Sequence, residues 1–124
     1  MEGTSVRVLI VDDHRLFAEA LEAILTADPR IDVVGRAFSG DEAVRITAAR
    51  RPDVVLMDIS MPGVDGVEAT RRIVADHPGV RVLMVTGSNS HQDVDASRLA
   101  GAAGYVTKDR IAAELIGVIL DVAA

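Results

Sequence analysis

Five short apolar runs punctuate the chain at regular intervals: Val6–Val11, Ile31–Ala37, Val54–Met57, Val80–Val85 and Ala102–Val106. Each is followed by a stretch with helical period. Leu16, Phe17, Ala20, Leu21, Ile24 and Leu25 make one wide apolar stripe, as an amphipathic helix requires. Ser39 and Glu42 have the spacing of a capping box and open the next helix. Val67, Ala69, Ile73 and Val74 mark a third, ended near Pro78. A fourth spans about residues 90–100 with Ser90 as its N-cap, and a fifth runs from about Ile111 to Val122. Continuous apolar strands alternating with amphipathic helices indicate a parallel sheet covered on both faces.

The right-handed crossover rule and the count of five units favour a doubly wound α/β sheet of flavodoxin-like order 2-1-3-4-5. No linker or repeat interrupts the pattern, so residues 1–124 read as a single domain. Aromatic residues make up only 2% of the chain, so the core must come from Val, Ile, Leu, Ala and Met. A net charge of -6 argues against this domain binding nucleic acid or anionic lipid by itself. The absence of cysteine removes disulfides and thiolate metal sites and suits a cytoplasmic location. The segment "MEGTSVR" has no signal-peptide pattern, and no apolar run is long enough to span a bilayer.

In such sheets, ligands bind beyond the carboxyl ends of the strands. Asp12 and Asp13 follow the first run, Asp58 the third, Thr86 the fourth and Lys108 the fifth. Of 13 basic residues, Lys108 is the only lysine. The expected fold brings these groups to one shallow cleft. Carboxylates crowded there repel by roughly 4 kcal/mol per pair at 4 Å and an effective dielectric near 20. An all-oxygen site of this kind suits Mg²⁺, which takes one or two carboxylates and phosphate oxygens. Lys108 adds a compact positive charge and Thr86 a hydroxyl. Cation, ammonium and hydroxyl together describe a phosphoryl site, with Asp58 as a carboxylate nucleophile able to form an aspartyl-phosphate. Taken singly, Asp12 and Asp13 also suit a helix start, Asp58 a turn before Pro62-Gly63, and Lys108 a solvated charge. Their conjunction at four strand ends favours the site.

The segments "VLIVDDH", "VVLMDISMPGVDG", "VLMVTGS" and "GAAGYVTKD" resemble the receiver domain of two-component response regulators over essentially the whole chain. The similarity is greatest to the subfamily with a LuxR-type helix-turn-helix output. The resemblance implies that Asp58 is the phosphoacceptor. It implies a Mg²⁺ site made by Asp12, Asp13, Asp58 and Ser60, with Asp13 binding directly, Asp12 largely through water, and Ser60 by its backbone carbonyl. Thr86 would bind a phosphoryl oxygen, Lys108 would pair with the phosphoryl group, and Tyr105 would be the aromatic switch; read alone, Tyr105 also suits a half-buried strand position. The implied donor is a sensor histidine kinase, and the implied output is transcription regulation. DNA would be reached only through a domain outside this chain. The resemblance does not imply a true enzyme, only a phosphoacceptor with at most slow autophosphatase activity.

Three departures from the family pattern stand out. Asp109 follows the lysine where proline is frequent, and Gly87 follows Thr86 where alanine is frequent. Arg98 occupies a usual core-leucine position, and Leu99 a usually polar one. The fourth helix is therefore expected to be short, shifted or loosely packed. On the last helix, Ile111, Leu115, Val118, Ile119 and Val122 form a core stripe, with Ala113, Ile116 and Leu120 outside it. Those three residues read as a partner face, for a homodimer or an output domain. The rival readings are a phosphate-independent interaction module of the same fold and an aspartyl phosphohydrolase. The latter usually carries D-x-D after the first strand, where this chain has Asp12-Asp13-His14.

Overall fold

The computed structural model describes residues 5–59, 66–87 and 91–124, with backbone alone at 91–94. Its elements are β1 (Val6–Val11), α1 (Arg15–Thr26), β2 (Ile31–Ala37), α2 (Gly40–Arg50), β3 (Val54–Asp58) and α3 (Gly66–Asp76). They continue with β4 (Arg81–Thr86), α4 (His91–Ala100), β5 (Gly104–Thr107), a 3-10 turn (Lys108–Arg110) and α5 (Ile111–Ala123). Every paired strand is parallel, in the order β2-β1-β3-β4-β5. This is the expected architecture. Ser90 and the turn at Met61-Pro62-Gly63 lie outside the described residues.

The strands alternate between two cores, as their period of two requires. Val8, Ile10, Leu56, Leu83 and Val85 face α1 and α5, where Leu21, Leu25, Leu115 and Ile119 meet them. Leu9, Val11, Val55, Met57 and Met84 face the other way, toward Ala43, Ala69 and Ile73. Because both sides are covered, the runs read as continuous rather than alternating.

Four details differ from the sequence expectation. The fourth and fifth strands start later, because the residues ahead of them close turns. Val80 donates its N–H to the His77 carbonyl, and Ala102 to that of Ser97. The stripe on α1 is narrower: Ala18, Leu21 and Leu25 are buried, while Leu16 is 79% and Ile24 40% exposed. Leu16, Ala20 and Ile24 form a row along one flank, and among the described residues no element covers that flank. In the capping box, Glu42 donates its N–H to Ser39 Oγ at 3.1 Å, but its carboxylate accepts from the N–H of Phe38, one residue before the expected Ser39. On α5, Ile116 and Leu120 are half-buried against the same core as Val118 and Val122, while Ala113 is exposed. α5 lies on β3, β4 and β5, and its cover extends to more than one stripe.

On α4, Arg98 and Leu99 both face solvent. Gly101 ends that helix at φ 103, a left-handed conformation that glycine adopts without a steric penalty. No helix among the described residues is long and apolar enough to cross a membrane.

Candidate functional site

Sheet register assembles the site. Val11 lies beside Met57, so Asp12 leaves β1 where Asp58 closes β3. Asp58 pairs with Val85, which puts Thr86 one step further along β4. Thr86 pairs with Thr107, and Lys108 is the next residue out of β5. The chain turns to opposite sides of the sheet after β1 and β3, so this edge is the topological switch point.

Asp12, Asp13 and Asp58 each offer a carboxylate oxygen, all within 4.8 Å of one another. Asp12 and Asp58 are buried, at 2% and 7% exposure, and Asp13 is open to solvent. Asp12 also serves the helix start: its Oδ1 accepts the His14 N–H at 2.8 Å, just ahead of α1. The local reading and the site reading thus hold together for this residue. Lys108 Nζ donates to Asp12 Oδ2 at 3.3 Å and lies 4.0 Å from Asp58 Oδ2. Among the described residues, one ammonium beside Asp12 and Asp58 in a trio of carboxylates leaves negative charge in excess. A hard cation with an all-oxygen shell fits that donor set, and softer metals that favour nitrogen or sulfur do not.

The start of α3 is pressed against the acceptor strand. A methyl group on Gly66 would overlap the carbonyl of Asp58, so only glycine lets the helix approach this closely. Thr86 is buried at the end of β4, whereas Tyr105 on β5 is 45% exposed. Tyr105 lines a surface cleft of about 570 Å³ together with Gly87, Thr107, Asp109, Arg110 and Glu114. The structure therefore brings together Asp12, Asp13, Asp58 and Lys108, with Thr86 on the adjacent strand end. Tyr105 and the α5 residues Ala113, Ile116 and Leu120 do not belong to that cluster. Ser60 lies outside the described residues.

The sequence reading left one neighbour of the site unnoticed. The Lys108 ammonium sits over the Phe17 ring, 4.3 Å from its centroid. Phe17 reads in sequence only as part of an apolar stripe, and no local pattern links it to a residue so far along the chain.

A parallel sheet in this order, with an acidic cluster and one lysine at its switch point, defines a CheY-like α/β domain. The chain belongs to the response regulator receiver domain family, which it matches over residues 8–120. It is a receiver domain of two-component response regulators, of the kind carried by LuxR-family regulators. It is 43% identical over 116 residues to the response regulator GacA of Pseudomonas viridiflava, an alignment covering 92% of this chain and 53% of that protein. The signal receiver domain of the putative response regulator NarL from Mycobacterium tuberculosis superimposes with a TM-score of 0.92 at 34% identity, covering 97% of each chain. A two-component response regulator of the LuxR family from Aurantimonas sp. SI85-9A1 superimposes with the same TM-score and identity, covering 97% of this chain and 86% of that one. The chain spans about half the length of the curated relatives it matches.

Proposed function

We propose that Asp58 is the phosphoacceptor of a signalling switch supplied by a sensor histidine kinase. The observation that carries this reading is the convergence of the Asp12, Asp13 and Asp58 oxygens within 4.8 Å, with Lys108 Nζ 3.3 Å from Asp12 and 4.0 Å from Asp58. A carboxylate oxygen of Asp58 attacks phosphorus, the P–N bond of the donor phosphohistidine breaks, and the imidazole leaves with its electron pair and takes up a proton. Asp58 is held at the end of a fully buried strand, so its carboxylate is positioned before the donor arrives. Asp13 directly, Asp12 largely through water and the Ser60 carbonyl would hold Mg²⁺ beside it. When bound, that ion neutralises charge on the phosphoryl oxygens. Lys108 pairs with one phosphoryl oxygen, and the Thr86 hydroxyl with another. The domain is a phosphoacceptor with slow autophosphatase activity at most, and acts in the cytoplasm.

The acyl phosphate adds about two negative charges and new acceptor oxygens to the cleft. Thr86 moves toward them, the Tyr105 ring follows inward from its half-exposed position, and the face formed by α4, β5 and α5 changes shape. This biases two pre-existing conformations. Reversing a 1:99 equilibrium takes about 5.5 kcal/mol of differential binding. The readout is a homodimer or a DNA-binding output domain, engaged through Ala113 and the outer parts of Ile116 and Leu120.

Incubation with Mg²⁺ and acetyl phosphate tests the reading. The expected result is a mass gain of one phosphoryl group, absent in Asp58→Asn. No gain in the unaltered chain would favour a phosphate-independent interaction module instead. Sizing the same samples tests the α5 face: Leu120→Glu is expected to abolish phosphorylation-dependent association, and unchanged association would refute that surface.

A further inference from the structure

We infer that Phe17 is a positioning residue for Lys108, holding the ammonium over its ring so that the charge stays available to an incoming phosphoryl oxygen. The inference rests on the phosphoacceptor reading of Asp58 and extends it to a residue outside the acidic cluster. Lysine carries a point charge on a flexible four-carbon stem, so something must restrict where that charge goes. Its two carboxylate contacts are loose: 3.3 Å to Asp12 and 4.0 Å to Asp58. The third wall is the face of Phe17, 4.3 Å from the ammonium, well within cation–π range.

The choice of an aromatic wall has a consequence. A further carboxylate there would neutralise the ammonium and compete with phosphate for it. A ring attracts the cation through its quadrupole and keeps the net charge intact. The ring is itself fixed, because Phe17 is half-buried on α1 and packs against the core shared with α5. The neighbouring cation on the same helix is engaged elsewhere: the Arg15 guanidinium lies 4.0 Å over the ring of Phe38. Two successive aromatic contacts thus sort the two cations, the lysine to the site and the arginine to the corner between β2 and α2.

The chain has one lysine, which makes the test direct. Labelling with ¹³C-lysine yields one side-chain spin system. Its Hε resonance is expected to be displaced upfield by the ring current in the unaltered protein and in Phe17→Tyr, and to lose that displacement in Phe17→Leu. Beryllofluoride with Mg²⁺ then probes the consequence. Its dissociation constant should rise about two- to tenfold in Phe17→Leu, stay close to the original in Phe17→Tyr, and show no further change when Phe17→Leu is added to Lys108→Met. Urea unfolding of each variant establishes that it is folded. An unmoved lysine resonance, or an equal loss of affinity in the Lys108→Met background, would overturn the role given to Phe17 while leaving the phosphoacceptor reading standing. An unaltered chain that binds no beryllofluoride and gains no phosphoryl mass would overturn that reading itself, and the role of the ring with it.

Discussion

The helices on either side of β5 are anchored by different means. α5 lays Ile111, Leu115 and Ile119 against β3, β4 and β5, all three buried. α4 rests on α3, and among its described side chains, from Asp95 onward, only Ser97 and Ala100 are buried. Leu99, its one large apolar residue in that span, is 86% exposed. A pocket of about 280 Å³ lies between Ser97, Arg98 and the start of β5. At about 25 cal/mol per Å² of apolar area, the three aliphatic side chains of α5 contribute far more than the serine and alanine that residues 95–100 of α4 bury. The lesson concerns signalling. A few new contacts at a phosphorylated aspartate can shift only an element whose present packing contributes little. Over its described side chains, residues 95–100, α4 meets that condition, and α5 does not.

The comparison can be broken or sharpened in order of effect. Leu115→Ala removes the centre of the α5 anchor and is expected to cost about 2–5 kcal/mol in urea unfolding. A loss under 1 kcal/mol would remove the contrast between the helices. Arg98→Leu works in the opposite direction. Leucine at the pocket beside α4 is expected to add about 1 kcal/mol of stability and to hold the helix more tightly. A neutral or destabilising result would mean that the pocket does not weaken α4. The smallest effect belongs to neither helix and serves as a reference. The Asp28 carboxyl is held down at about 2, chiefly by side-chain hydrogen bonds from Arg30 and then by the Arg30 backbone N–H. Its folded value lies below its unfolded one, so its contribution is complete above about pH 3.8 and is lost as pH falls through about 2. In Arg30→Gln the acid side of the stability curve should be slightly flatter between those values, and neutral stability nearly unchanged. The Arg30 side of the pair is open to solvent, which screens the interaction, so a large change at neutral pH would contradict the assignment.

Much of this protein is legible from its residues in order. Buried strands facing two cores announce themselves as continuous apolar runs, and β1 and β2 have the expected bounds. The cluster was legible too, because a strand-end rule converts five scattered residues into one location before any coordinate is known. Strand starts were less so, since Val80 and Ala102 are apolar whether they pair in the ladder or close a turn ahead of it. Leu16 and Ile24 show the same difficulty on a helix: periodicity places them beside the core stripe, but coverage depends on what packs against that flank. Phe17 was invisible as a neighbour of Lys108, because that contact needs the first helix and the fifth strand end side by side.

By itself, the sequence determined the alternation of elements, the parallel sheet covered on both faces, and the delivery of Asp12, Asp13, Asp58, Thr86 and Lys108 to one edge. Side-chain period and strand direction follow from local geometry, so a linear reading suffices for them. Only the tertiary structure decided which flank of α1 is exposed and that an aromatic ring stands beneath the one lysine. Those outcomes depend on packing between residues distant along the chain, and no local pattern records that packing.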